Sequence, residues 1–223
     1  MKSRQIVGII KRWLIDFNNG IKAFRVPFWG GIIRNREPIY LGVAVDVCLY
    51  VPKGIILDVG TGTGRLPLIL ARINSEIKCI GIDINETMLN HAKLESQKTE
   101  YVNQLSLMRA QAETLPFADK SFDMVVSLMS VYQWNYRLQG CKEIYRVLKD
   151  NALTLIIVGN SYMTKDKSGL AQYKDLRKIL TDAGFKDVIT LNQNLTSIPP
   201  KFQFDYLKPS SSLSGLLLVI GQK

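Results

Sequence analysis

The sequence predicts an α/β protein: a doubly wound, Rossmann-like sheet of seven strands, mainly parallel, with the last strand antiparallel and a helical segment ahead of it. Three observations carry this. Short apolar runs alternate with helix-period segments from Gly54 onward, three glycines at every second position follow the first run, and an aspartate ends the second. Repeated β-α units of this kind close into a parallel sheet with helices on both faces.

The strands are expected at 55–59 (IILDV), 77–83 (IKCIGID), 105–109 (LSLMR), 122–128 (FDMVVSL), 152–158 (ALTLIIV), 185–191 (FKDVITL) and 213–220 (LSGLLLVI). They are short and rich in β-branched residues, as strands are. The spacing predicts helices over 64–73, through Leu66, Ile69, Leu70 and Ile73, and over 86–98, through Met88, Leu89, Ala92 and Leu94. Two more follow over 137–148, through Leu138, Cys141, Ile144, Tyr145 and Leu148, and over 169–183, where Gly184 supplies the C-terminal stop. Between the last two strands lies NQNLTSIPPKFQFDYLKPSSS, long for a loop in a compact domain. Phe202, Phe204 and Tyr206 alternate there as in a flap.

The 223 residues suit one domain, residues 53–223, with an appendage, residues 1–52. Hydrophobic content of 47% supports a sizeable core and excludes extended disorder. No uninterrupted apolar run approaches the ~18–20 residues that span a bilayer. The start, MKSRQIVGIIKRWLIDF, has charge inside its apolar pattern and does not read as a signal peptide. The expected location is the cytoplasm. Cys48, Cys79 and Cys141 are scattered without a C-x-x-C spacing, so neither a disulfide framework nor a zinc site is expected, and no metal is expected at all.

The formal charge of +10 is unevenly placed: residues 1–53 hold nine Lys/Arg against Asp16, Glu37 and Asp46. Basicity of this kind favours an anionic contact without choosing among nucleic acid, lipid surface and acidic substrate.

The stretch IILDVGTGTGR places Gly60, Gly62 and Gly64 between the first strand and first helix, at the carboxyl edge where doubly wound sheets bind ligands. Glycine there permits positive φ and removes the Cβ that would stand between chain and ligand. The dinucleotide fingerprint would need a glycine where Arg65 stands, and no G-K-[ST] follows, which excludes a P-loop. Asp83 ends the neighbouring strand and can accept both hydroxyls of a ribose; the alternative is a helix N-cap, for which Asn85 competes.

ILDVGTGTG, GIDINETML, AETLPFADKSFDMVVS, EIYRVLK and LTDAGF stand in order from Lys53 to Phe185. This series resembles the class I S-adenosylmethionine-dependent methyltransferases, and within them the ubiquinone/menaquinone-type small-molecule branch. The resemblance implies the class I methyltransferase fold and S-adenosylmethionine as cofactor. It implies that Asp58 and the backbone of Gly60, Thr61, Gly62 and Gly64 face the methionine part. It also implies that Asp83 holds the ribose, Ile84 packs on the adenine, Ala112 and Glu113 lie along the adenine edge, and Ser127 sits near the methionine moiety. Gln111 stands where the family often has Asp, and its carbonyl oxygen still suits the adenine amino group. Asp150-Asn151-Ala152 replaces the family's usual P-G-G before the fifth strand.

A sulfonium already activates its methyl group, so such an enzyme mainly aligns an acceptor and excludes water. Acceptor-side candidates come from SLMSVYQW: Tyr132, Gln133 and Trp134, with Tyr132 able to take a proton. Asn160 and Tyr162 follow the fifth strand. The single histidine, His91, reads as a helical side chain without a catalytic partner. The expected function is methyl transfer to a small apolar or aromatic acceptor. An RNA-directed methyltransferase and a non-catalytic cofactor-binding module are the alternatives. The sequence after strand four lacks the [N/D]-P-P-[Y/F/W] run of base-nitrogen methylation, which counts against nucleic acid as a partner.

Residues 5–17 place Ile6, Ile10, Trp13, Leu14 and Phe17 on one helical face, and IKAFRVPFWGGIIRNR follows, apolar and basic. The segment reads as a lid over the cofactor site or as a helix on an anionic membrane surface, at the inner face of the membrane. The oligomeric state is left open.

Overall fold

The computed structural model describes residues 37–159, 170–192 and 216–223. The helix at 5–17, the flap around Phe204, and Asn160 and Tyr162 lie outside them.

The described chain opens with α1 (Glu37–Tyr50), which the helical periodicity did not signal because nearly every side is apolar. Pro38 sits in its first turn, where no intrahelical amide is needed, and Pro52 follows its end. Leu41, Val43, Ala44, Val47 and Cys48 are buried, so this helix is part of the core. β1 (Gly54–Val59) and the glycine turn lead into α2 (Arg65–Ile73), which buries Leu66, Ile69, Leu70 and Ile73 as its spacing predicts. β2 (Ile77–Asp83) and α3 (Glu86–Gln97) follow. Leu89 and Ala92 of α3 are buried, but Leu94 is exposed: it lies a half-turn from that face. Then come β3 (Leu105–Arg109), β4 (Phe122–Leu128), α4 (Arg137–Val147) and β5 (Leu148–Gly159). α5 (Leu170–Asp182), β6 (Lys186–Asn192) and β7 (Leu216–Gln222) complete the fold.

The seven strands form one sheet in the order β3-β2-β1-β4-β5-β7-β6. Only β7 runs antiparallel, paired with β5 on one side and β6 on the other. The order reverses between β1 and β4, so the cleft at their carboxyl ends is a topological switch point. Alternate residues of the central strands feed two cores. Ile56, Met124, Val126 and Leu155 pack under α1 and α2, while Leu57, Val125, Ile156 and Val158 pack under α4 and α5. Asn151 takes φ 63° within β5, where the register with β4 shifts, a left-handed position that asparagine tolerates.

Candidate functional site

A cavity of about 510 Å³ opens at the carboxyl edge of β1, β2 and β4. Its wall starts at Tyr40 of α1, crosses Gly60–Thr63 and Ile82–Asn85 to Ala110–Glu113, and returns along Leu128–Ser130 and Gln133–Asn135.

The three glycines serve different masters. Their φ angles are 79°, 56° and 73°, all in the left-handed region. A Cβ on Gly60 would fall 2.2 Å from the Cβ of Ser130, and one on Gly64 would fall 2.9 Å from that of Ala92. Only at Gly62 would an added Cβ meet nothing within 4 Å. The expectation that all three clear space for a ligand is therefore corrected: Gly60 and Gly64 admit protein neighbours, and Gly62 alone leaves open space.

The turn is tied directly to the acid of β2. The Gly62 amide donates to Asp83 Oδ2 at 2.8 Å, and the Asn85 amide to Oδ1 at 2.8 Å. Asp83 is not the cap of α3. Asn85 is, its side chain accepting from the Met88 amide at 3.2 Å. A carboxylate has about four lone-pair sites, so two amides fix Asp83 in place and leave each oxygen capacity for a further donor. Ile84, next in the chain, lines the cavity with 54% of its surface exposed, unusual for an isoleucine in a built cleft.

Asp58 is placed otherwise than expected. Its side chain is 2% exposed and does not line the cavity. Thr61 Oγ1, on the turn, donates to Asp58 Oδ2 at 2.7 Å, and Oδ1 has no hydrogen-bond partner among the described residues. Burial pushes its carboxyl up to about 7; the Thr61 hydrogen bond opposes this and the Asp83 charge adds to it. Asp58 therefore reaches the cavity only through Thr61.

Ser127 is corrected in the same way. It is fully buried behind the wall, and its hydroxyl meets that of Ser130 at 2.7 Å. Ser130, which does line the cavity, donates to the carbonyl of Val59 at 2.7 Å and so sews the end of β4 to the end of β1. Tyr132 turns away as well: it packs against the second core, with the Arg137 guanidinium 5.7 Å from its ring centre, and does not line the cavity. Among the described residues it is thus placed beside the cavity wall and not on it. Gln133 and Trp134 do line it, the Trp134 ring lying so close to Gly140 that a Cβ there would stand 2.7 Å away. His91 is not among the lining residues.

Ala112 is buried and Glu113 half-buried along the opposite edge. Glu113 Oε1 accepts from the Tyr136 amide at 3.1 Å, while the Leu115 amide donates to Glu143 Oε2 at 2.9 Å. Arg146 then spends all its donors on this loop and on Glu143: the carbonyls of Leu115 and Phe117, the carboxylate of Asp119, and both oxygens of Glu143. α4 thus holds the segment that carries Ala112 and Glu113.

Tyr40, Met129 and Ser130 were not singled out from the sequence. Met129 and Ser130 lie in the quoted SLMSVYQW, and the end of strand four at a switch point was the signal for them. No motif marks Tyr40. All three cysteines are buried, and no cluster of three or more metal-ligating side chains occurs among the described residues. Nor does any helix among them have the length and apolarity to cross a membrane.

A sulfonium nucleoside with an amino-acid tail asks for a fixed carboxylate beside its diol, an apolar surface for its base, and a bare stretch of backbone. Asp83, exposed Ile84 and open Gly62 meet those demands within one cleft of suitable size.

Residues 57–156 match the family model described as a methyltransferase domain. A ubiquinone/menaquinone biosynthesis C-methyltransferase UbiE of Geotalea daltonii is 38% identical over 64% of this chain and 57% of its own length. A demethylmenaquinone methyltransferase of Porphyromonas gingivalis is 31% identical over 46% of this chain and 42% of its own. The chain thus spans about half the length of these relatives. Among solved structures, a SAM-dependent methyltransferase from Aquifex aeolicus superposes with a TM-score of 0.63 at 19% identity, covering 84% of this chain and 92% of that one. At that identity the likeness speaks to the fold.

Proposed function

We propose that this chain is a class I S-adenosylmethionine-dependent methyltransferase that transfers the sulfonium methyl group to a small, quinone-type aromatic acceptor. Its cofactor is S-adenosylmethionine. The observation that carries the reading is the 2.8 Å bond between the Gly62 amide and Asp83, which brings both arms of the nucleoside site into one rigid corner.

In this reading Asp83 accepts the ribose hydroxyls, Ile84 covers one face of the adenine, and Ala112 and Glu113 border its edge. The backbone of Gly60–Gly64 receives the methionine part. Asp58 and Ser127 stand behind that surface, acting through Thr61 and Ser130. When bound, the sulfonium supplies a methyl carbon that an aligned nucleophile would attack in line, the thioether leaving with the bonding pair of the C–S bond. The chain's own part is to align the acceptor and keep water away. Tyr40, Leu128, Met129 and Trp134 provide an apolar wall for a ring, and Gln133 an amide for a ring oxygen. An apolar acceptor also suits the basic, aromatic-rich residues 1–36 as a lid or a membrane contact.

Anaerobic incubation with methyl-labelled S-adenosylmethionine and 1,4-naphthoquinol tests the activity. The expected result is label on the ring with one S-adenosylhomocysteine formed per methyl transferred; turnover confined to RNA, or none at all, contradicts it.

A further inference from the structure

Among the described non-glycine residues with left-handed backbone, Met129 alone also lines the cavity. Its φ is 58°, a conformation that costs a side-chain-bearing residue energy and that glycine or asparagine would adopt more readily. The surroundings hold it there. On one side the Met129 amide donates to the Ile157 carbonyl at 2.7 Å, extending the β4–β5 ladder by one bond. On the other the Ser130 hydroxyl is pinned to Val59, and the Gln133 amide closes a turn onto the Ser130 carbonyl at 2.9 Å. Strain kept at a cavity wall by over-determined neighbours points to a use for the side chain that incurs it.

The wall shows what that use is. Met129 and Tyr40 are both half-buried, both pack against the core under α1 and α2, and both face the cleft. Asp83 at the end of β2, Ile84 just after it and Glu113 in the loop before β4 line the same cleft. Gln133 also lines the cleft. We infer that Met129, set against Tyr40, is the specificity-determining residue for the acceptor. The pair forms a slot for a flat ring, with the flexible, polarizable thioether contacting the ring. This rests on the proposed transfer to an aromatic acceptor, and it goes further by assigning ring selection to a residue the motif series does not contain.

The test measures ring binding separately from turnover. Equilibrium dialysis of 2-methyl-1,4-naphthoquinone against the full chain loaded with S-adenosylhomocysteine reads the slot, and the buried thiols Cys48, Cys79 and Cys141 do not compete for the probe. Met129→Gly is expected to weaken ring binding at least tenfold while S-adenosylhomocysteine affinity stays within twofold. Met129→Leu, which restores apolar volume, should recover most of the loss, and Tyr40→Ala should weaken the ring as Met129→Gly does. A parallel loss of S-adenosylhomocysteine affinity in Met129→Gly would mean that the side chain only props up the cleft, and would overturn the inference. Unchanged ring binding in Met129→Gly, or a parent that does not bind the ring, would overturn it too. If the parent binds the ring but transfers no label to naphthoquinol, the proposed activity fails while the slot stands.

Discussion

Gly60 is held to glycine by Ser130. An alanine there would have to sit at φ 79° with its Cβ 2.2 Å from that of Ser130. Left-handed backbone costs roughly 1–2 kcal/mol and overpacking about 1–3 kcal/mol more. Gly60→Ala should therefore destabilise by about 2–5 kcal/mol in urea unfolding. Because the clash has one partner, a double-mutant cycle with Ser130→Gly should show a coupling of at least ~1 kcal/mol; strict additivity would mean that the backbone angle alone matters. Asp58 gives a pH-dependent counterpart. An ordinary aspartate titrates near 4, and burial moves this one to about 7. The folded chain thus keeps a proton that the unfolded chain releases. The stability from this difference is full below about pH 4 and is lost as pH rises to about 7. Its slope is at most about 1.4 kcal/mol per pH unit. Asp58→Asn should flatten melting temperature against pH over that window, and an unaltered profile would assign the slope elsewhere.

At the scale of the element, α4 acts as a clamp as well as a cover for the sheet. Arg146 gives five hydrogen bonds to Glu143, Asp119 and the carbonyls of Leu115 and Phe117, with its side chain 31% exposed. The Arg146 guanidinium holds Glu143 below the usual carboxylate range. Removing one partner of such a set leaves carbonyls unpaired, and Arg146→Ala should cost about 2 kcal/mol. The effect should concentrate on the adenine-edge loop: amide exchange at 112–117 should quicken more than in β4, and uniform quickening would contradict the clamp. Arg146→Lys should restore little, since a point ammonium lacks the planar fork.

The elements themselves were legible, for clear reasons. β-α alternation from Gly54 and the amphipathic spacing of 64–73 and 137–148 predicted strands and helices to within a few residues, because one-sided burial writes a period into the sequence. α1 escaped that logic: buried on most sides, it carries no period. In α3, Leu94 has the composition of a core residue but the wrong angle. Within the site, residues on the turn and at the end of β2 could be found because glycine and aspartate do unusual jobs there. Ser127, Asp58 and Tyr132 were displaced from their expected places by whole-fold geometry. The end of β4 decides which of 127 to 134 face the cleft, and bonds to both neighbouring strands, from Met129 to Ile157 of β5 and from Ser130 to Val59 of β1, set it.

For the whole molecule, the switch point between β1 and β4 unites two cores under one cleft, and the +10 charge is concentrated near its start. If residues 1–36 meet a membrane, the parent should bind vesicles rich in anionic lipid. Replacing Lys11, Arg12, Lys22 and Arg25 with glutamine should abolish that binding; no binding by the parent would end the idea. The central claim, however, concerns the corner formed by Gly62 and Asp83. Calorimetric titration of the parent and of Asp83→Ala with S-adenosylhomocysteine tests it most directly. The account expects the parent to bind, and the variant to bind more weakly by about 1.5–3 kcal/mol, the worth of hydrogen bonds to a charged group. Equal affinity in the two proteins would contradict it.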